Sequence, residues 1–470
     1  MKKKIIYIVI ESVKRELNSK TVLALKALKR NYRVVIGQKG WLRQMTKDTN
    51  SGIMFLKGFG NRNSQHIDFI KKNNFKIIAF DEELILAMDY ADKIEWRMNN
   101  DNINKLDIVL AVGETTDYPV IKKKFSSIAD KILVCGNMRL ELLKKNYLKL
   151  LEKESLKKKK DFGEYILLLT AFAKINKIRD SHQIDWVFSR IVEGVEKHSG
   201  GKYIDPDSRH IYLGNEQVKM QRESLLQTLK FLDNFEKNFP YKKLIISPHP
   251  NENFNFWSYY INNRKFKNIY LNTDIHSPSY PLINSCDILI STNSTSLLEA
   301  YFLKKKTINV LGKKLRESEI GLLKKISTKI VRSSDELFET IKDLEKENGI
   351  QLKNHHLIEV KNFDEDFDSF ESILDRLDKL KGVETHNDLF KNLKHKLLNK
   401  FRISVYFLKR ILSYRVKKHA KVHRFNKEKV GNKMQKNNFL KNVKHINSLI
   451  KVANLKVKQI APEVYLLDSE

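Results

Sequence analysis

One histidine and one run of hydroxyl residues are the groups in this chain of 470 residues that are best suited to bind an anion. His249 lies between two prolines, directly after the apolar run 244–246. The hydroxyl-rich run 291–295 (STNST) follows a second apolar run, 288–290, and precedes a stretch with the pattern of a helix. Imidazole and hydroxyl groups donate hydrogen bonds to phosphate oxygens, and a helix that begins in such a run adds backbone N–H donors. The two motifs therefore predict a phosphate-binding site.

Both motifs stand where an α/β protein binds its ligands. The apolar runs have the length of buried strands, and each ends in a loop signal. Ligands of open α/β sheets bind outside the carboxyl ends of strands. Each motif alone also fits a structural role, because prolines stiffen loops and Ser or Thr residues cap many helices. The two motifs together, each at a strand end, favour a site for a nucleotide phosphate.

Three consecutive acidic residues form a second candidate site. Asp81, Glu82 and Glu83 follow the apolar run 76–80. A carboxylate at a strand end can take a proton from a hydroxyl group as a general base, and adjacent carboxylates raise one another's pKa. The alternative is an acidic cap of the helix that follows.

Two cationic residues are candidates for contact with an anionic group. Lys39 precedes Gly40 in a glycine-flanked loop, and Arg139 follows another predicted strand. A guanidinium group binds a carboxylate or phosphate with two parallel hydrogen bonds. No group of residues has the spacing of a metal site, and we expect neither a metal nor another cofactor.

Strands and helices alternate along most of the chain, which predicts an α/β fold with two doubly wound, Rossmann-like domains. The domains cover 1–152 and 162–350, and a charged linker joins them at 152–161. An acidic helical segment, 351–384, and a basic amphipathic helical tail, 385–470, follow. The predicted strands are 5–10, 32–37, 52–58, 76–80, 107–113, 131–136, 165–170, 243–247, 268–271, 287–292, 307–311 and 329–331.

The tail carries half of the net charge of +32, with 21 Lys and Arg residues against 5 Asp and Glu residues in 385–470. Apolar residues recur at helical spacing between 397 and 412. A basic amphipathic helix suits an anionic membrane surface, although a solvated helix or one packed on a partner fits the same pattern. No nucleic-acid-binding motif accompanies the charge, so we do not expect nucleic acid as a partner.

Other features bound the location of the protein. Cys135 and Cys286 are too far apart in sequence to indicate a disulfide framework or a metal site, which fits a reducing cytosol. The first apolar run, 5–10, is too short for a signal peptide, and no segment is long enough to span a membrane. We expect a cytoplasmic protein, peripheral on the inner face of the cytoplasmic membrane.

Taken in order, the motifs resemble those of the bacterial surface carbohydrate biosynthesis protein family over about residues 1–345. The chain departs from the family pattern at Leu84 and Met138, where the family has Gly and Pro, and at Lys304, where it has a small residue. The matching motifs are GQKG at 37–40, DEE at 81–83, GNMR at 136–139, Thr170, PHPNEN at 248–253 with Trp257, and Ser291-Thr292 leading to Glu299-Ala300.

The resemblance implies a GT-B-like enzyme in which two Rossmann-like domains face a cleft and the C-terminal domain binds a nucleotide donor. A more distant likeness is to bacterial sialyltransferases, Kdo transferases and CDP-glycerol transferases, all of which use cytidine nucleotides. It implies Glu83 or Glu82 as the catalytic base and His249 as the group that stabilises the leaving phosphate. The implied donor-binding residues are His249, Pro250, Thr170, Ser291, Thr292, Ser294, Thr295 and Glu299. The implied acceptor-side residues are Lys39, Gly40, Asp81 and Arg139.

We therefore expect a metal-independent glycosyltransferase of surface polysaccharide biosynthesis, of the capsule or O-antigen type. Its donor is a nucleotide-sugar, expected to be CMP-linked, and its acceptor is a glycan or a lipid-linked glycan. One alternative is a CDP-glycerol-type glycerophosphotransferase. Another is a non-catalytic GT-B-like scaffold of an assembly complex.

Overall fold

The chain forms two compact units, each built on its own sheet. Unit 1 comprises Met1–Leu150 and Ile358–Glu470, and unit 2 comprises Leu151–Leu357. The structure is a computed structural model, and it describes residues 3–49, 51–82, 97–173, 175–176, 211–274, 279–292, 294–311, 322–347, 360–383, 434, 436–461 and 463–469.

Within its described residues, unit 1 contains an eight-stranded sheet. The strands are β1 (Lys4–Ile10), β2 (Tyr32–Gln38), β3 (Gly52–Leu56), β4 (Phe75–Phe80), β5 (Ile108–Ala111), β6 (Ile132–Val134), β13 (Leu455–Ala461) and β14 (Val464–Ser469). Their order is β13-β14-β2-β1-β3-β4-β5-β6, and β1 to β6 pair in parallel. The order 2-1-3-4-5 is one of the two common doubly wound arrangements, with its switch point between β1 and β3.

Helices flank the strands of unit 1. The long helix Val13–Lys29 contacts the helices Met138–Glu141, Ser369–Asp378 and Lys436–Ile450. Because helices cover the sheet, β1 is buried from Ile5 to Ile10 without alternation, as expected for a central parallel strand. The helices are α1 (Val13–Lys29), α2 (Lys39–Thr49), α3 (Ser64–Lys71), α4 (Asn100–Asn104), α5 (Asp117–Lys124), α6 (Met138–Glu141), α14 (Ser369–Asp378) and α15 (Lys436–Ile450).

The described residues of unit 2 contain a six-stranded, wholly parallel sheet in the order β12-β11-β10-β7-β8-β9. Its strands are β7 (Tyr165–Leu169), β8 (Lys243–Ser247), β9 (Ile269–Leu271), β10 (Ile288–Ser291), β11 (Lys306–Val310) and β12 (Lys329–Val331). This is the 3-2-1-4-5-6 order of dinucleotide-binding folds, with the switch point between β7 and β10. The helix α7 (Lys145–Phe162) begins in the last residues of the first segment of unit 1 and continues into unit 2. The other helices of unit 2 are α8 (Ile211–Asn238), α9 (Phe254–Arg264), α10 (Tyr280–Ser285), α11 (Ser296–Phe302), α12 (Leu322–Ile326) and α13 (Ser334–Lys346).

The predicted fold class, two Rossmann-like α/β units, is confirmed. The charged linker predicted at 152–161 is instead part of the helix α7. Its buried residues Tyr147, Leu150, Leu151 and Ser155 recur at helical spacing, so the charged run is the solvated face of a helix.

The described residues of the predicted C-terminal tail belong to unit 1. They include a helix, α15, followed by two strands that extend the sheet: β14 pairs antiparallel with β2, and β13 pairs antiparallel with β14. The alternating sequence of 455–461 suits an edge strand with one solvated face. Gly37 permits this docking, because a Cβ there would lie 2.6 Å from the Glu463 carbonyl oxygen. The amphipathic stretch 397–412 lies outside the described residues.

The acidic helix α14 is held on unit 1 by a polar clamp around the GNMR motif. The Asn362 amide donates to Glu141 (2.7 Å) and accepts from the Asn137 N–H (2.6 Å). Gly136 has φ of 72°, and a Cβ there would lie 2.7 Å from both Asn362 Oδ1 and Ser369 Oγ. This part of the motif therefore has a structural role.

Substitution of Gly136 by Ala is expected to destabilise unit 1 by about 2–4 kcal/mol, since left-handed backbone strain and a steric clash add together. Gly382→Ala is the matched control in unit 1, because Gly382 also has φ of 72° but a Cβ there would meet only the flexible Lys76 side chain at 3.7 Å. Urea unfolding of both variants measures the difference. Equal losses would show that the clamp adds nothing to backbone strain.

Among the described residues, no helix is both long and apolar enough to cross a membrane. Within the same residues, no group of three or more His, Cys, Asp or Glu side chains is arranged to hold a metal ion.

Candidate functional site

The predicted donor residues of unit 2 meet at the switch point of its sheet. β7 lies between β10 and β8, so the carboxyl ends of these three strands are neighbours. Thr170 follows β7, His249 follows β8, Ser291 ends β10, and Thr292 follows it. The Thr292 hydroxyl accepts a hydrogen bond from the Ala171 N–H (3.0 Å), which joins two of these strand ends directly.

His249 is half-buried and is held in one tautomer by its own loop. Its Nδ1 accepts a hydrogen bond from the Asn251 backbone N–H (3.1 Å). In the neutral imidazole, a ring nitrogen that accepts carries no proton, so the proton is on Nε2. In its neutral form, His249 therefore carries its N–H donor at Nε2, a group that can donate to a phosphate oxygen.

Glu252 organises this loop, although we did not single it out from the sequence. Its side chain is only 2% exposed. One carboxylate oxygen accepts from the Thr170 hydroxyl and the Phe172 N–H (both 2.8 Å), and the other accepts from Trp257 Nε1 (2.9 Å). Burial raises the pKa of Glu252, and these three hydrogen bonds oppose that shift. Since the Glu252 N–H also donates to the His249 carbonyl oxygen (2.8 Å), the carboxylate fixes the histidine loop to the end of β7.

The hydroxyl run does not cap the helix α11 in the way that its sequence suggests. The residue at the N-cap position of α11 is Thr295, which makes no side-chain capping bond, while Ser294 Oγ accepts from the Ser296 N–H (3.3 Å). α11 has only seven residues, so the dipole of this helix is a weak source of anion affinity. Any phosphate contact here is better assigned to hydroxyl groups.

Two further donor-side candidates, Ser291 and Glu299, are buried. Ser291 Oγ has no hydrogen-bond partner within the described part of the chain, and Glu299 lies in the first turn of α11. Pro250 lies half-buried in the histidine loop. The donor-binding roles of all these residues remain predictions.

In unit 1, the candidate base Glu82 follows the carboxyl end of β4. Glu82 is 5% exposed, and its Oε1 has no hydrogen-bond partner among the residues that the structure describes. Burial raises the pKa of its carboxyl group, and the charges of Arg139 and Lys20 oppose this shift. Glu83, the other candidate base, lies outside the described residues.

Asp81 is bound to a cation. Both of its carboxylate oxygens accept hydrogen bonds from Arg97 Nη1, at 2.8 and 2.9 Å. This pairing favours a role in holding the end of β4 over direct contact with an acceptor.

A buried charge cluster at the unit 1 switch point was missed by the sequence interpretation. Glu16, in the first turn of α1, pairs with Lys20 (2.7 Å) and with Lys57 (3.0 Å), which follows β3. Its carboxylate also accepts from the backbone N–H groups of Glu11 and Ser12. Burial alone would raise the pKa of Glu16, but the two lysines lower it to about 2. Glu16 is therefore a permanent anion.

The cluster acts on Glu82 through its charges. Glu16 raises the pKa of the Glu82 carboxyl group, whereas Lys20 and Lys57 lower it. Arg139, at the start of α6, is the strongest of the opposing cations. The predicted acceptor-side residue Arg139 and the candidate base Glu82 are thus brought near each other.

The structure places the other two acceptor-side candidates in a helix rather than in the predicted loop. Lys39 and Gly40 begin α2, and a Cβ at Gly40 would meet no atom within 4 Å. A larger residue would therefore fit at position 40, so the local packing does not require a glycine there. Lys39 Nζ donates to Asn63 and lies 3.3 Å from Glu11, at the same edge of the sheet as Glu82.

No protein-family model matches the chain, and no curated protein matches it. Solved structures with a similar fold include the UDP-GlcNAc 2-epimerase of Methanocaldococcus jannaschii, at 13% identity over 80% of this chain and 99% of that one, with a TM-score of 0.49. The Neisseria meningitidis UDP-GlcNAc 2-epimerase, bound to UDP-GlcNAc, has 13% identity over 80% and 100% of the two chains and a TM-score of 0.49.

The wall teichoic acid polymerase TagF, in a structure with CDPG, has 12% identity over 79% of this chain and 82% of its own, with a TM-score of 0.44. Similarities at this level do not identify a reaction, which depends on the side chains at the strand ends.

Proposed function

We propose that this protein is a glycosyltransferase that moves a sugar from a nucleotide donor to a hydroxyl group of a growing surface glycan. The observation that carries the proposal is His249, whose Nδ1 is occupied by the Asn251 N–H so that Nε2 carries the proton. This donor stands beside the β7–β10 switch point, where doubly wound sheets bind nucleotides.

The role of His249 follows from the charge that develops in the reaction. When the bond between the anomeric carbon and the phosphate oxygen breaks, the electron pair stays on the phosphate. A fixed N–H donor stabilises that negative charge more than it stabilises the intact donor, which lowers the barrier. The hydroxyl groups of Ser291, Ser294 and Thr295 supply neutral donors to the same phosphate in this proposal.

The proposed catalytic base is Glu82. The acceptor hydroxyl attacks the anomeric carbon, a new C–O bond forms, and the acceptor proton passes to the Glu82 carboxylate. Glu82 suits this role because it is buried, has an oxygen without a partner in the described residues, and has a raised pKa. A general base of this kind contributes about 10² to 10⁴-fold to the rate.

The identity of the substrates rests on the sequence resemblance. It points to a cytidine nucleotide, with a CMP-linked sugar as donor, and to a capsule or O-antigen type of glycan as acceptor. A lipid-linked acceptor would give the basic residues of 385–470 a function, since they would hold the enzyme at an anionic membrane surface.

The deciding experiment is the thermal stability of the full chain with CMP, CDP and UDP. A nucleotide at 100 times its Kd should stabilise the protein by about 2.7 kcal/mol. We expect the cytidine nucleotides to act, and His249→Ala to weaken their effect. His445→Ala, which changes a histidine of unit 1, is the control. This variant should be stabilised by the nucleotides as much as the wild type is.

Each other outcome has a defined meaning. Selective stabilisation by UDP would keep the glycosyltransferase and reject the cytidine donor. An equal effect in the His249→Ala variant would remove His249 from the nucleotide site. No stabilisation by any nucleotide would overturn the proposal and favour the scaffold alternative.

A further inference from the structure

Three basic side chains cluster where two helices of unit 1 begin. α2 follows β2 and α3 follows β3, so both helices start at the carboxyl edge of the sheet. Lys39 and Arg43 are four residues apart and lie on one face of α2. His66 lies in the first turn of α3, which packs against α2.

Two of these side chains have buried polar atoms that lack a hydrogen-bond partner among the described residues. His66 Nδ1 and Arg43 Nε make no hydrogen bond to any residue that the structure describes. The Arg43 guanidinium is fixed by the Phe69 ring, whose centre lies 4.3 Å from it. A buried polar atom without a partner is destabilising, so a ligand that forms hydrogen bonds with these atoms gains affinity.

The charges at the cluster are also unbalanced. Among the described residues, the carboxylate that pairs with the cluster is Glu11, which lies 3.3 Å from Lys39 and is 37% exposed, so it neutralises little of the charge. Burial, and then the charges of Lys39 and Arg43, lower the pKa of His66 to about 4. The cluster therefore repels a third positive charge and favours an anion.

We propose that Lys39, Arg43 and His66 form a subsite for one anionic group, a carboxylate or a phosphate, of the acceptor. The subsite shares its sheet edge with Glu82, so an acceptor anchored there by its acidic group has its hydroxyl groups on the side of the proposed base. The assignment to the acceptor rests on the proposed function, whereas anion binding itself does not.

The test is a pH titration of the full chain, labelled at the imidazole carbons of its 13 histidines, followed by NMR. A His66→Gln variant identifies the His66 signal. Inorganic phosphate and glucuronate are the two anionic probes, and glucose is the neutral control. A bound anion within about 4–6 Å should raise the pKa of His66 by about 1–3. A response to phosphate alone or to glucuronate alone assigns the group that the subsite takes.

Matched variants locate the effect. Arg43→Ala and Lys39→Met should each abolish the anion-induced shift, and the unchanged signals of the other histidines report that the fold is intact. Lys47→Ala should keep the shift, because Lys47 also lies over the Phe69 ring but one turn further along α2. The proposal is overturned if neither anion moves the His66 signal, or if the shift is equal in Arg43→Ala and wild type.

These results separate the subsite from the proposed function. An anion-induced shift in a protein that no nucleotide stabilises would retain the subsite and reject the glycosyltransferase. Nucleotide binding without the His66 shift would reject the subsite and retain the glycosyltransferase.

Discussion

Replacement of His249 by Ala is expected to lower kcat about 10² to 10³-fold while leaving the fold intact. The loss corresponds to removal of one preorganised donor from a charge that develops in the transition state. His249 is half-buried, and its loop is held mainly by Glu252, so unit 2 should unfold at nearly the same temperature. Steady-state transfer rates with the donor found in the nucleotide screen give the measurement.

Two variants sharpen this result. His249→Gln keeps an N–H donor of similar reach and should recover part of the lost rate, which a purely structural histidine would not require. His445→Ala should have wild-type kcat. A rate within about threefold of wild type in the His249→Ala variant would exclude His249 from the chemistry.

The donor-side candidates could be predicted from sequence because their geometry is dictated locally. An apolar run of strand length, followed by a loop signal, places the next polar residues at a carboxyl end. In a parallel sheet all such ends lie on one edge. Once the strands were recognised, Thr170, His249 and Ser291 could therefore be placed on that edge. Strand order was not predictable in this way, since it depends on pairing between distant segments.

The buried polar groups were missed for a physical reason. Glu16 and Lys20 form an i, i+4 pair in a helix, a pattern that usually marks a solvated face. Their burial depends on residues from other elements. Lys57, 37 residues beyond Lys20, pairs with Glu16, and the Val9 carbonyl oxygen at the end of β1 accepts a hydrogen bond from Lys20 (2.6 Å). Glu252 was visible only as part of a motif, because its partners lie on two other elements.

The C-terminal part of unit 1 shows the same limit. Gly37 and Gly136 looked like loop glycines of functional motifs. Each is instead required by a segment that returns to unit 1 more than 200 residues later, β14 in one case and the Asn362 clamp in the other. Sequence alone shows that a glycine is present, but not which distant backbone or side chain approaches it.

Replacement of Glu82 by Gln is expected to lower kcat about 10² to 10⁴-fold, because the amide cannot take the acceptor proton. The wild-type enzyme should lose activity as the pH falls through the raised pKa of Glu82, about tenfold per pH unit below it. The residual activity of the variant should lack this acid limb. Glu114→Gln, which removes an exposed carboxylate of unit 1, should match wild type in both respects.

The stability of the same variant distinguishes a catalytic carboxylate from a structural one. A carboxyl group whose pKa is raised on folding binds its proton more tightly in the folded state, so the wild-type free energy of unfolding falls as pH rises above the unfolded pKa of about 4.3. Glu82→Gln has no such proton and should be more stable than wild type at pH 7, with the difference vanishing near pH 4. Urea unfolding at both pH values measures it. A structural Glu82 would give the opposite pattern: the Gln variant would be less stable than wild type at pH 7, and its rate would change little. In that case hydrogen-bond partners would hold the Glu82 carboxylate, and the amide of Gln could not form the same bonds.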